Sequence, residues 1–183
     1  MNGVGGKKMS FSQQIKQSKA DEWYTLPYSV ELILPFLKEK GFKKIWCPFD
    51  KKDSEFVKIL KKENFEVTHG HIETGQDFFD YEKIPEGCEV VVSNPPFSKR
   101  DAIFERLYKL KIPFALIMNS NGIFDSKKRF ELFKNNNFEI LVPQGRMNFH
   151  NGEQVKNSPN FQSVYMCNGI LGEKIVFVNM KKE

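Results

Sequence analysis

The run Glu89-Val90-Val91-Val92, broken at once by Ser93-Asn94-Pro95-Pro96-Phe97, constrains this chain more than any other stretch. Branching at Cβ favours an extended backbone, and a short apolar run bounded by turn residues reads as a buried strand. Two successive prolines then end it, because neither has an N–H to donate to a neighbouring strand. A helix is expected to open near Ser98 and Lys99. Strand, stiff loop and helix in this order belong to an open α/β sheet, where ligands bind at the carboxyl ends of the strands.

The loop's chemistry suits that place. Each proline holds φ near about −65°, so the Asn94 side chain and the Pro95 carbonyl sit in a rigid frame with few competing donors. Two acceptors facing one pocket can take both N–H bonds of a planar amine on an aromatic base. Such a nitrogen is a poor nucleophile while its lone pair is delocalised into the ring. Holding both hydrogens lets it move toward sp³, and preorganised dipoles stabilise the charge that develops as it attacks a methyl donor. No strong general base is needed. Phe97 offers a ring face on which a base could stack, a contact worth roughly 1–3 kcal/mol.

The flanking patterns alternate between the two periods. Apolar positions Val30, Ile33, Leu34 and Leu37 predict a helix over 27–40, kinked at Pro35. A strand over 43–47, a helix capped by Asp53 or Ser54, and a strand over 65–69 make a βαβ unit and hence a parallel sheet. Residues 77–79 read as a short strand. Beyond the central loop come a helix carrying Ile103, Phe104 and Leu107, a strand over 114–118, a polar loop over 119–125, a helix over 126–134 and a strand over 138–142. Residues 148–160 read as a long polar loop of the functional or mobile kind. Two alternating segments, 161–167 and 174–179, are expected to form an antiparallel pair. The fold class is therefore α/β: a doubly wound, mostly parallel, seven-stranded Rossmann-like sheet with an antiparallel C-terminal strand pair.

With 183 residues, of which 40% are hydrophobic and 18 are phenylalanine, the composition is that of a folded chain. Residues 1–20 read as a flexible leader or arm and 21–183 as one domain. The net charge of +5 fits a nucleic-acid partner. Cys47, Cys88 and Cys167 show no C-x-x-C spacing, so neither a zinc site nor a disulfide framework is suggested, and no metal is expected. His69 and His150 have no spaced partners for a metal or a catalytic triad. The sequence carries no signal peptide and no apolar run approaching about 18 residues, so no membrane partner is expected. The expected location is the cytoplasm, that of a bacterial host cell if the chain comes from a phage.

Asn94-Pro95-Pro96-Phe97 resembles motif IV of the amino-methyltransferases that use S-adenosylmethionine, (Asn/Ser/Asp)-Pro-Pro-(Tyr/Phe/Trp). Glu22-Trp23-Tyr24-Thr25, with Leu26 inserted before Pro27, is similar to the Glu-Trp-Tyr-Thr-Pro segment of small phage- or prophage-type adenine-N6 DNA methyltransferases. The resemblance implies that Trp23, Tyr24 and Thr25 help to hold the cofactor's carboxylate. Cys47-Pro48-Phe49-Asp50 falls where the family has Asp-Pro-Phe-x-Gly-x-Gly. Only Pro48 and Phe49 match, Asp50 is displaced past them, and both glycines are absent, so a different grip on the cofactor is expected. Asp77 and Phe78 fall at the motif that contacts the cofactor's adenine, and His71 or Glu73 near the acidic position that holds its ribose.

The activity so implied is methyl transfer from S-adenosylmethionine to adenine N6 in DNA, with the base extruded from the duplex. Asn94, Pro95, Pro96 and Phe97 are the catalytic loop. Lys99, Arg100, Arg146 and His150 are candidates for contacts to the nucleic acid. No separate target-recognition domain is visible, so a homodimer or a host protein partner is one way to supply specificity. Two alternatives stay open. The same loop suits an amino-methyltransferase acting on RNA or on protein glutamine. With its glycines gone, the chain also suits a non-catalytic binding module, such as a phage counter-defence protein.

Overall fold

Tyr24–Thr25 (β1) opens the part of the chain described by the computed structural model, which covers residues 24–150, 155–156 and 160–182. Trp23 and the 1–20 arm lie outside it. Two short helices follow, Pro27–Glu31 (α1) and Leu34–Glu39 (α2). A single kinked helix was the expectation for this segment. Pro35 instead sits in the first turn of α2, where its missing N–H leaves no bond unmade.

Lys44–Cys47 (β2), Glu55–Lys62 (α3) and Glu66–His69 (β3) form the expected βαβ unit, with β2 and β3 parallel and Ile45 opposite Val67. Ser54 caps α3, its hydroxyl accepting from the Val57 N–H at 3.3 Å. Val90–Ser93 (β4), Arg100–Leu110 (α4), Phe114–Asn119 (β5), Lys127–Asn135 (α5) and Glu139–Pro143 (β6) carry the alternation on. Phe149–His150 (β7), Val155–Lys156 (β8), Ser163–Asn168 (β9) and Ile175–Val178 (β10) complete the elements.

Seven strands form one sheet in the order β10-β6-β9-β5-β4-β2-β3. Every neighbouring pair is parallel except the two that involve β9. Alternate side chains of each strand feed opposite faces. Ile45, Val90, Val92, Ala115, Ile117 and Tyr165 pack with Val30, Leu37, Phe56 and Leu60 from α1, α2 and α3, and with Ile33 at the junction of α1 and α2. Trp46, Val91, Phe114, Leu116, Val164 and Met166 pack with Ile103, Phe104, Leu107 and Phe133 from α4 and α5. Both faces are therefore covered by helices, as a doubly wound sheet requires.

Three local expectations change. Residues 77–79 are not a strand: Phe78–Asp80 is a 3₁₀ turn, started by the Asp77 carboxylate accepting from the Phe79 N–H at 3.0 Å. Phe78 is buried there, its ring centroid 5.6 Å from that of Trp46 and 4.8 Å from that of Phe49. Within the expected 148–160 loop, β7 pairs antiparallel with both β1 and β8, giving a second, three-stranded sheet. The two C-terminal strands run in opposite directions, but β6 lies between them. Buried on both faces, β9 suits the interior, whereas β10, with Phe177 77% exposed, suits an edge. No described helix is long and apolar enough to cross a membrane.

Candidate active site

Because β2, β3 and β4 are parallel, their carboxyl ends and the turns that follow them lie on one edge of the sheet. A cleft of about 480 Å³ opens there. One wall is the loop after β4: Asn94, Pro95, Pro96 and Phe97 all line it, with Lys99 at the next turn. The Asn94 side-chain oxygen and Pro95 are buried. Phe97 stays partly exposed, edge-on to Phe161 at 6.1 Å between ring centroids. A 3₁₀ turn over Phe97–Lys99 leads into α4, so the helix begins slightly later than expected.

The facing wall is the turn after β2. Pro48, Phe49 and Asp50 line the cleft, and hydrogen bonds hold the turn where the family pattern has glycines. The Asp50 N–H donates to the Gly70 carbonyl at 2.9 Å, and the Gly70 N–H donates to the Cys47 carbonyl at 3.1 Å, tying the turn to the end of β3. The Asp50 carboxylate, 6% exposed, accepts from the Ser93 hydroxyl, the last residue of β4, and from Ser54 at the start of α3. One buried side chain thus joins three elements. Burial pushes the Asp50 carboxyl up to about 6, with the two hydroxyls pulling it back down.

The remaining walls come from three places. His71, Asp77 and Phe78 line the cleft beyond β3, while Glu73 turns away into an ion pair with Lys51 at 2.5 Å. His71 also accepts from the Glu73 N–H through Nδ1 at 3.2 Å. Tyr24 and Thr25 reach the cleft from β1. His150, opposite Tyr24 in β7, stacks on its ring with centroids 5.1 Å apart, so it belongs to the cleft wall more than to an outer surface.

Arg100 stands outside the cleft, in a shallow groove it shares with Phe79, Phe97, Lys99 and Arg129. Its guanidinium donates to the Asn121 carbonyl at 3.1 Å. Arg129 is buried and donates to the carbonyls of Ile123 and Gly122, at 2.7 and 2.6 Å, and to Asp101. The 119–125 loop is therefore clamped to α4 and α5. Arg146 is exposed and lies off the cleft lining. Several lining residues had no motif to mark them: Asp53, Glu55 and Lys58 at the α3 terminus, Ile72 and Phe79, and Phe161 just before β9. A capping position was the one legible signal, at Asp53 and Ser54.

None of the known sequence families and no curated protein matches this chain. Among solved structures, one similar chain is a modification subunit of a putative type I restriction enzyme from Vibrio vulnificus. It is 9% identical, with a TM-score of 0.49, over 92% of this chain and 50% of that one, so the chain spans about half its length. The fold stated above rests on the strand order and on the two packed faces of the sheet.

Proposed function

We propose that the protein methylates adenine N6 in DNA, taking the methyl group from S-adenosylmethionine. The supporting observation is the meeting of the Asn94–Phe97 loop and the Pro48–Asp50 turn across one cleft at the carboxyl edge of a parallel sheet. Ligands of α/β sheets bind at this edge, and a cleft of about 480 Å³ falls within the usual range for small-molecule sites.

The residues present fit the cofactor. Phe49, Phe78 and Ile72 form an apolar face suited to its adenine, and Asp77 and His71 can accept or donate at its polar edges. Tyr24 and Thr25 also line the cleft and would hold its carboxylate, and Asp50 gives the cleft a buried negative charge. When bound, S-adenosylmethionine supplies a methyl group on a cationic sulfur.

The chain's own residues do the rest. Asn94 Oδ1 and the Pro95 carbonyl accept the two N–H bonds of the target amine and so localise its lone pair. The prolines hold both acceptors without reorganisation as the charge develops. Phe97 stacks on the extruded base, returning part of the few kcal/mol that extrusion costs. Lys99 in the cleft lining and Arg100 in the adjoining shallow groove offer positive charge to the phosphate backbone.

Calorimetric titration of the purified protein with S-adenosylmethionine and S-adenosylhomocysteine tests this reading. Micromolar binding supports it. If neither ligand binds, with or without DNA present, the methyl-transfer reading fails and the non-catalytic binding module takes its place.

A further inference from the structure

The motif that departs most from the family pattern carries a charge with no cation to match it. Asp50 is 6% exposed, yet among the described residues its side chain meets two hydroxyls, Ser93 and Ser54, and no Lys, Arg or His forms an ion pair with it. A carboxylate has about four acceptor sites, so two hydroxyls leave capacity on the edge that lines the cleft.

The groups around it do not neutralise it. Cys47, on the strand before it, and Tyr165, across the sheet on β9, are both pushed up by burial and stay protonated. Of the nearby lysines, Lys51 is 2.5 Å from Glu73 and Lys58 is 2.9 Å from Glu55. Asp53, Glu55 and Asp77 add further negative charge to the lining, which His71 also joins from the turn after β3. Isolated buried charge is costly, and a cation delivered by a ligand would offset that cost.

We infer that Asp50 is the counter-charge for a cationic group on the ligand of this cleft, an ammonium or a sulfonium. The inference rests on the S-adenosylmethionine reading and sharpens it. Pro48 and Phe49 shape the wall, and Asp50 takes over the grip that glycine N–H groups give in the family pattern. Because burial leaves Asp50 partly protonated near pH 6, a cation that requires the carboxylate must expel that proton. Binding is then coupled to proton release, and it weakens as the pH falls below about 6.

The test is calorimetry on the full chain at pH 6 and pH 8, in buffers of different ionisation enthalpy. Three ligands separate the sources of charge: S-adenosylmethionine has both cations, S-adenosylhomocysteine only the ammonium, and methylthioadenosine neither. Expected is release of about half a proton at pH 6 and none at pH 8 with the charged ligands, and none at either pH with methylthioadenosine. Release with S-adenosylmethionine alone assigns the sulfonium; release with both assigns the ammonium. Asp50→Asn should weaken the charged ligands by roughly tenfold or more and leave methylthioadenosine little changed. If Asp50→Asn does not fold, Ser93→Ala replaces it: loss of that hydroxyl raises the Asp50 carboxyl further, so proton release at pH 6 must exceed that of the wild type, and unchanged release assigns the proton to another group. Binding of S-adenosylmethionine to the wild-type chain without proton release at pH 6 overturns the inference, as does equal affinity in Asp50→Asn. Failure of all three ligands to bind overturns the S-adenosylmethionine reading itself.

Discussion

Two neighbouring parallel strands, β2 and β4, end in the same cleft, and the turns after them are stiffened by different means. After β4 the stiffness is covalent: Pro95 and Pro96 fix the backbone, and any chain containing them would be held in much the same way. After β2 it is tertiary. Asp50 is pinned by Gly70, Ser93 and Ser54, each on a different element. A covalent constraint can be read from four letters, whereas a network spanning three elements cannot. The two turns are also joined, because the residue that pins the first, Ser93, directly precedes the Asn94–Phe97 loop.

The comparison is broken most severely at Asn94. Asn94→Ala should lower methyl transfer by about 10²–10³-fold, the scale for deleting one preorganised polar group, while cofactor affinity stays within about threefold. Equal losses in both would show that the two turns do not divide the work.

The next effect lies in the pH dependence of stability. Burial raises the folded-state Asp50 carboxyl to about 6, above its ordinary value of 3.8, so the folded state holds the proton more tightly. This group's contribution therefore becomes more favourable as the pH falls through 6 towards 4, and is least favourable above 6. Asp50→Asn, which cannot ionise, should gain on the wild type by about 1–3 kcal/mol at pH 8 relative to pH 5, read from paired urea melts.

A smaller effect probes the link between the turns. Ser93→Ala removes one hydroxyl from Asp50 and should cost about 1 kcal/mol of stability at pH 8. It should also push the Asp50 carboxyl further up, measurable by carboxyl carbon NMR. The smallest expectation is at Lys51. Its ion pair with Glu73 joins two partly exposed side chains, so Lys51→Met should change stability by less than about 1 kcal/mol.

These differences explain what was legible in the sequence. The strand, loop and helix around residues 90–100 were readable because a valine run and a double proline act locally. So were β2, α3 and β3, where the hydrophobic period and the Ser54 cap agree. The second sheet was not, because β1 and β7 pair Tyr24 with His150, far apart in sequence and only two residues each. Phe78 read as a strand residue because an aromatic pair looks extended; the Asp77 turn that buries it depends on a side-chain hydrogen bond. In the site itself, the residues of the 94–97 loop all reach the cleft, as do Pro48, Phe49, Asp50, Asp77 and Phe78. Phe161 and Phe79 read only as members of expected strands over 161–167 and 77–79, which gave no sign that they line a cleft from just before β9 and from a 3₁₀ turn.

The most direct test of the central claim is nucleoside analysis. Adenine-unmethylated DNA would be incubated with S-adenosylmethionine and either the wild-type chain or Asn94→Ala, digested to nucleosides and analysed by mass spectrometry. The expected result is N6-methyldeoxyadenosine with the wild type and none above background with the variant. Absence of the methylated nucleoside with the wild type, or equal amounts with both proteins, would contradict the proposal that the Asn94 loop activates an adenine amine.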